Sequence, residues 1–264
     1  MSLFGDDLFK MELIPDPSSY GCALTSDDLF LRVQNRFELD NEETDTLHQF
    51  YKYHLFGDGL ISLTDTLMAG KGVEVIIKND EKVLLEKRSV DYPINPYIAN
   101  DGRILILGEY NIKSEKIILY IKNIRLAARE KNLKSSFLLI SVFAHELYHA
   151  YFHKNLYIQE LEEPMAEYGS LLYVNSLRIL KVVTEDSISG LTKMIQEKKD
   201  ILRYYSIGSY MFQYTANNPD DYPQYIVKFK EFDLSRVQPD GDRVEEFENY
   251  KNSPIVDNLI AIFK

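Results

Sequence analysis

The stretch from Phe137 to Ala150 constrains the fold more than any other part of the chain. Phe137, Leu138, Leu139, Ile140, Val142, Phe143 and Leu147 make a helical segment apolar nearly all round, so this helix is expected in the interior. Three polar side chains, His145, Glu146 and His149, sit in its second half. Buried without partners they would cost several kcal/mol in total. A fold built around this helix must therefore satisfy two imidazoles and a carboxylate at one place.

The spacing H-E-x-x-H is what metal chemistry requires. Residues i and i+4 share one helix face about one turn apart, so His145 and His149 can converge on one ion while Glu146 faces a water on that ion. The bland alternative is a pair of histidines hydrogen-bonded to buried backbone or carboxylates. A catalytic tetrahedral zinc needs a third protein ligand and an open position. Downstream, Glu160, Glu162, Glu163 and Glu167 could supply it.

The segment Glu163-Pro-Met-Ala166-Glu167 resembles the E-x-x-A-[DE] signature of gluzincin metallopeptidases. The resemblance covers roughly Lys116 to Leu180. It implies a zincin-like α+β fold, a mixed β-sheet packed on the H-E-x-x-H helix, with a following Glu-bearing helix and helical flanking regions. It also implies Glu163 as third zinc ligand and Glu167 as the carboxylate that braces a ligand histidine. The physics is compatible: Glu163 and Glu167 share a helix face, and a carboxylate on the outer nitrogen of His145 or His149 would fix its tautomer. Pro164, however, sets Glu163 at a helix entrance, which keeps Glu162 and Glu167 open as ligands. His153 continues the i,i+4 spacing but lacks the glycine turn of metzincin-like enzymes and reads as a residue near the helix end.

The expected reaction is zinc-assisted peptide-bond hydrolysis, with Glu146 taking the proton of the activated water and delivering it to the leaving amine. An oxyanion donor is expected among Tyr157, Tyr168, Tyr204, Tyr205 and Tyr210, though the 19 tyrosines dilute each claim. A catalytically silent binding or regulatory module of the same fold is the alternative. The expected partner is a peptide or protein substrate, such as one specific cytoplasmic protein, bound by strand addition along Lys116–Ile121 as an edge strand.

Around this block the chain divides into an N-terminal helical region (1–71), a zincin-like catalytic core (72–184) and a C-terminal α-rich subdomain (185–264). Helices are expected over 26–68, with glycine turns at Gly57, Gly59, Gly70 and Gly72. Val73–Ile77 and Lys82–Glu86 read as a hairpin, Pro93 and Pro96 as a loop, and Arg103–Leu107 and Lys116–Ile121 as two further strands. Helices follow over about 123–131, from Ser135 through Phe152, from Pro164 toward Leu180, and over 186–214. The stretch after Thr184 reads as an appendage, with a loop at 217–223.

Composition adds exclusions. Thirty Lys and Arg against 41 Asp and Glu give a net charge of -11, which would repel a phosphate backbone or an anionic leaflet, so no nucleic acid and no membrane partner is expected. No window reaches the roughly 18 apolar residues of a membrane helix, and the acidic start does not read as a secretory signal, so a cytoplasmic protein is expected. The single Cys22 excludes an internal disulfide and leaves His and Glu as zinc ligands.

Overall fold

A computed structural model of the chain describes residues 31–47, 73–84, 94–152, 162–179, 184–217, 256–257 and 260–261. Cys22, the four glycines at 57, 59, 70 and 72, His153, Tyr157, Glu160 and the 218–223 loop lie outside the described residues. The fold is α+β, and its sheet is mixed. Strands β1 (Leu31–Gln34), β2 (Val73–Lys78), β3 (Ile94–Ile98), β4 (Ile104–Asn111) and β5 (Lys116–Tyr120) take the order β1-β2-β5-β4-β3. β1, β2 and β5 run parallel to one another; β4 and β3 continue the sheet antiparallel.

Helix α1 occupies residues 41–47. It opens on a reciprocal cap: Glu43 N–H donates to Asp40 Oδ1 at 2.8 Å, and Asp40 N–H donates to Glu43 Oε2 at 3.0 Å. Beyond the sheet come α2 (Ile121–Glu130), α3 (Ser135–Phe152), α4 (Glu162–Ile179), α5 (Glu185–Gln196) and α6 (Ser206–Asn217), with a 3-10 turn at Asp200–Tyr205 before α6. Every residue of α3 from Ser136 to His149 is buried, as its all-round apolar sequence requires. One face of α3 lies on β4 and β5, packing against Leu105, Leu107, Ile117 and Leu119; another carries α4. Helix α4 is fastened to it by Ser141 and Ser170, whose hydroxyls lie 3.0 Å apart while Ser170 Oγ also donates to the Ser141 carbonyl at 2.9 Å. Helix α6 packs on α4 in turn. The apolar core is continuous across the three stretches 1–71, 72–184 and 185–264: Leu39 and Leu47 from the first and Ile188, Leu202 and Ile207 from the last join the cluster around α3.

Several expectations are corrected. Leu31–Gln34 is a strand, not a helix; a four-residue run with Leu31 and Val33 alternating is too short for periodicity to separate the two. Val73–Lys78 does not form a hairpin with the following segment, since both its neighbours are parallel strands, and Val83 instead bridges Leu105 in β4. The proline-marked segment is strand β3. Pro96 is tolerated because β3 is an edge and the ladder is irregular there: Asn95 pairs with Gly108 but Pro96 pairs with Ile106, so Leu107 is an extra residue in β4. Lys116–Tyr120 is not an edge either; it lies between β2 and β4, with its backbone groups committed on both sides. Of the stretch read as an appendage, residues 184–217 pack into the core through α5, the 3-10 turn and α6.

Candidate metal centre

Helix α3 sets His145, Glu146 and His149 in a wholly buried position one turn before its end. Helix α4 crosses it with its first two turns over these residues and brings three carboxylates, from Glu162, Glu163 and Glu167. Pro164 falls in the first turn, where its missing N–H leaves no helical bond unmade, so the helix begins at Glu162 and Glu163 sits inside its first turn.

The donor atoms converge. His145 Nε2 and His149 Nε2 are 3.1 Å apart, and Glu163 Oε2 lies 3.1 Å from the first and 3.3 Å from the second. A tetrahedral centre with bonds of about 2.0–2.1 Å places its ligand atoms roughly 3.3 Å apart. The triangle therefore fits a metal ion, and His145, His149 and Glu163 form a group that can hold one. Of the expected ligands among the described residues, Glu163 is the one the fold brings into the triangle; Glu162 and Glu167 go elsewhere.

They go to the outer ring nitrogens. Glu162 Oε1 lies 2.8 Å from His149 Nδ1, and Glu167 Oε2 lies 3.6 Å from His145 Nδ1. A carboxylate on Nδ1 favours the tautomer with the proton there, which leaves the Nε2 lone pair for the triangle. Glu167 stands at ion-pair distance from His145 Nδ1 without a hydrogen bond to it, and among the described residues that nitrogen has no hydrogen-bond partner. The role of Glu162 was missed, since spacing alone did not distinguish a brace on His149 from a ligand.

Glu146 is of another kind. Both its carboxylate oxygens are buried with no hydrogen-bond partner among the described residues. Burial is the largest influence on it and pushes its carboxyl up to about 8, against the pull of His145 and His149. Burial works against charge on His149 too, but Glu163 and Glu162 outweigh it and raise that imidazole to about 10; His145 is raised in the same way, chiefly by Glu167. Glu163 and Glu167 are held well below the usual carboxylate range in spite of burial, the first by the two histidines and the second by Lys198 and His145.

Three further residues shape the site and were not singled out from sequence. After the irregularity at Leu107, Gly108 of β4 faces α3, where a Cβ would come within 2.7 Å of Val142 Cγ1 and 2.8 Å of Glu146 Oε1. Only a glycine leaves Glu146 its room. Gly208 of α6 lies against the Glu163–Glu167 turn of α4, and a Cβ there would meet the Pro164 carbonyl at 2.2 Å. Lys198, buried between α5 and the 3-10 turn, bonds Glu167 Oε1.

Tyr205 is tied to the site through β3: its hydroxyl donates to the Ile94 carbonyl at 3.3 Å, and Ile94 N–H donates to Glu163 Oε1 at 3.2 Å. Burial, then the nearby Glu163 charge, raises its phenol well above the ordinary value. Tyr168 and Tyr204 are buried in the core, and Tyr210 is half-buried against it. No family model matches the chain, and no curated protein or solved structure matches it either. Among the described residues, no helix is long and apolar enough to cross a membrane.

Proposed function

We propose that this chain is a zinc-dependent metallopeptidase with a zincin-like, gluzincin-type site. The observation that carries the reading is the triangle of His145 Nε2, His149 Nε2 and Glu163 Oε2 beside a buried carboxylate, Glu146, with no hydrogen-bond partner among the described residues. Zinc is assigned from the donor set, two imidazoles and one carboxylate with no thiolate. A zinc ion held there supplies a Lewis acid that makes water nucleophilic near neutral pH and polarises a scissile carbonyl.

The chain's own residues do the rest. Glu162 and Glu167 hold the imidazoles with their inner nitrogens aimed at one point. Glu146, as the carboxylate, takes a proton from the attacking water and returns it to the leaving amine. Gly108 keeps β4 clear of Glu146 so that the carboxylate can do both. The substrate class is a peptide or a single protein partner in the cytoplasm.

A second reading, a silent metal-holding module of the same fold, draws on the complete burial of His145, Glu146 and His149. One experiment separates the two. The zinc-loaded chain is incubated with a peptide library and products are read by mass spectrometry, beside a Glu146→Gln variant shown to hold the same zinc. Cleavage by the wild type alone supports the peptidase; no cleavage by either establishes the silent module.

A further inference from the structure

The contacts around the site close into a ring. Beginning at His145, its outer nitrogen faces Glu167 Oε2 at 3.6 Å, and the other oxygen of that carboxylate bonds the Lys198 ammonium. Lys198 Nζ stands 4.6 Å from the ring centroid of Tyr205, whose hydroxyl reaches the Ile94 carbonyl. Ile94 N–H holds Glu163 Oε1, and Glu163 Oε2 returns to His145 Nε2. Glu167 is thus held by Lys198, 31 residues further along the chain, and Glu163 by the Ile94 N–H, whose own carbonyl accepts from Tyr205.

Lys198 is the node of that ring. Its side chain is 4% exposed and that of Glu167 is 2% exposed, so neither charge is supported by bulk water. A buried ammonium is tolerated only where its charge and donors are matched, and here the carboxylate and the Tyr205 ring face do the matching. The two oxygens of Glu167 then have separate duties. With Oε1 committed to Lys198, the carboxylate cannot turn freely, and Oε2 is left 3.6 Å from His145 Nδ1, an ion-pair separation beyond hydrogen-bond reach.

We infer that Lys198 is a positioning residue of the metal centre, acting through Glu167 to set the ring orientation of His145. This rests on the metal-site reading above. Lys198 is not one of the three convergent donors. Its effect is on how well the His145 lone pair is aimed, and loss of an outer partner of a ligand histidine commonly weakens metal binding about 10- to 100-fold.

The test is zinc affinity by competition with a chromophoric chelator, read together with the visible absorption band of the cobalt(II)-substituted chain. Lys198→Met is expected to weaken zinc about tenfold and to shift the cobalt band. Lys198→Arg, which keeps the charge, is expected to restore most of both. Glu167→Gln cuts the same link from the other side without disturbing Lys198's own backbone, and is expected to weaken zinc comparably; Lys198→Met added to it should weaken zinc little further. Unchanged affinity and an unchanged cobalt band in Lys198→Met overturn the inference, and so do the same results in Glu167→Gln should the lysine variant fold poorly. Wild-type protein that takes up no zinc overturns the metal-site reading and this inference together, so the two failures are distinct.

Discussion

Glu43 and Glu146 are both carboxylates shut away from solvent, and their surroundings are opposite. Glu43 receives Arg125 Nε at 3.0 Å on one oxygen, and Arg125 Nη2 at 2.6 Å and the Asp40 N–H at 3.0 Å on the other. Burial would raise its carboxyl, but these donors outweigh it and hold it below the ordinary value. Around Glu146 the neighbours are other acceptors and two imidazoles already engaged with carboxylates, and its carboxyl goes up to about 8. A satisfied buried carboxylate joins α1 to α2; one with no hydrogen-bond partner among the described residues, beside three convergent donor atoms, is on the proposed reading the group that moves a proton.

The largest effect that would break this contrast is in activity. Glu146→Gln should lower hydrolysis on the order of 10²–10⁴-fold in the zinc-loaded chain, with no loss of stability in urea titration. Glu43→Gln should do the reverse. It leaves the peptidase rate of the folded chain alone and costs about 2 kcal/mol of stability, short of the 3–5 typical of breaking a fully buried pair because Arg125 is a third exposed. Were Glu43→Gln to abolish hydrolysis at unchanged stability, the two sites could not be told apart by satisfaction.

Next in size are the two glycines. Gly208→Ala drives a methyl into the Pro164 carbonyl, a backbone atom that cannot turn aside, so about 2–3 kcal/mol of stability should go, together with zinc affinity as α6 is pushed off α4. Gly108→Ala meets Val142 and the Glu146 side chain instead. Its expected cost is about 1–2 kcal/mol, with hydrolysis falling further than zinc affinity because Glu146 is displaced and the ligand triangle is not.

The smallest effect is in pH dependence, and it has opposite signs at the two carboxylates. In chelator-treated protein, Glu43, depressed below 4.5, contributes stability that is present above pH 4.5 and lost as pH falls through its folded value. Glu146, raised to about 8, contributes stability that is complete below pH 4.5 and is lost as pH rises through about 8. Urea midpoints of wild type, Glu43→Gln and Glu146→Gln across pH 3 to 9 should therefore differ with opposite slopes.

How much of this was legible in sequence follows from what each feature depends on. His145, Glu146 and His149 lie on one helix, so their juxtaposition is a matter of local spacing and was readable without the fold. Glu163 and Glu167 were reached through a motif five residues long, again local. Gly108, Gly208 and Lys198 matter because of what another element brings against them, and nothing in their own neighbourhood marks them. Glu162 was visible as one acid in an acidic stretch; only the crossing of α3 and α4 decides that it meets His149 Nδ1 while its neighbour meets Nε2. The sheet shows the same division. Strands are legible in sequence at both β4 and β5, each a local run of β-branched residues, but the parallel partners of β2 are distant in sequence, and β3 hid behind two prolines that a central strand would not accept.

The central claim is that His145, His149 and Glu163 bind one metal ion at their convergence. It is met most directly by the zinc-edge X-ray absorption spectrum of the loaded chain, taken with and without His149→Ala. The account predicts about one zinc per chain in a shell of two imidazole nitrogens and oxygen at about 2.0–2.2 Å, with one imidazole lost in the variant. A shell containing sulfur, or an oxygen-only shell indifferent to His149, would contradict it.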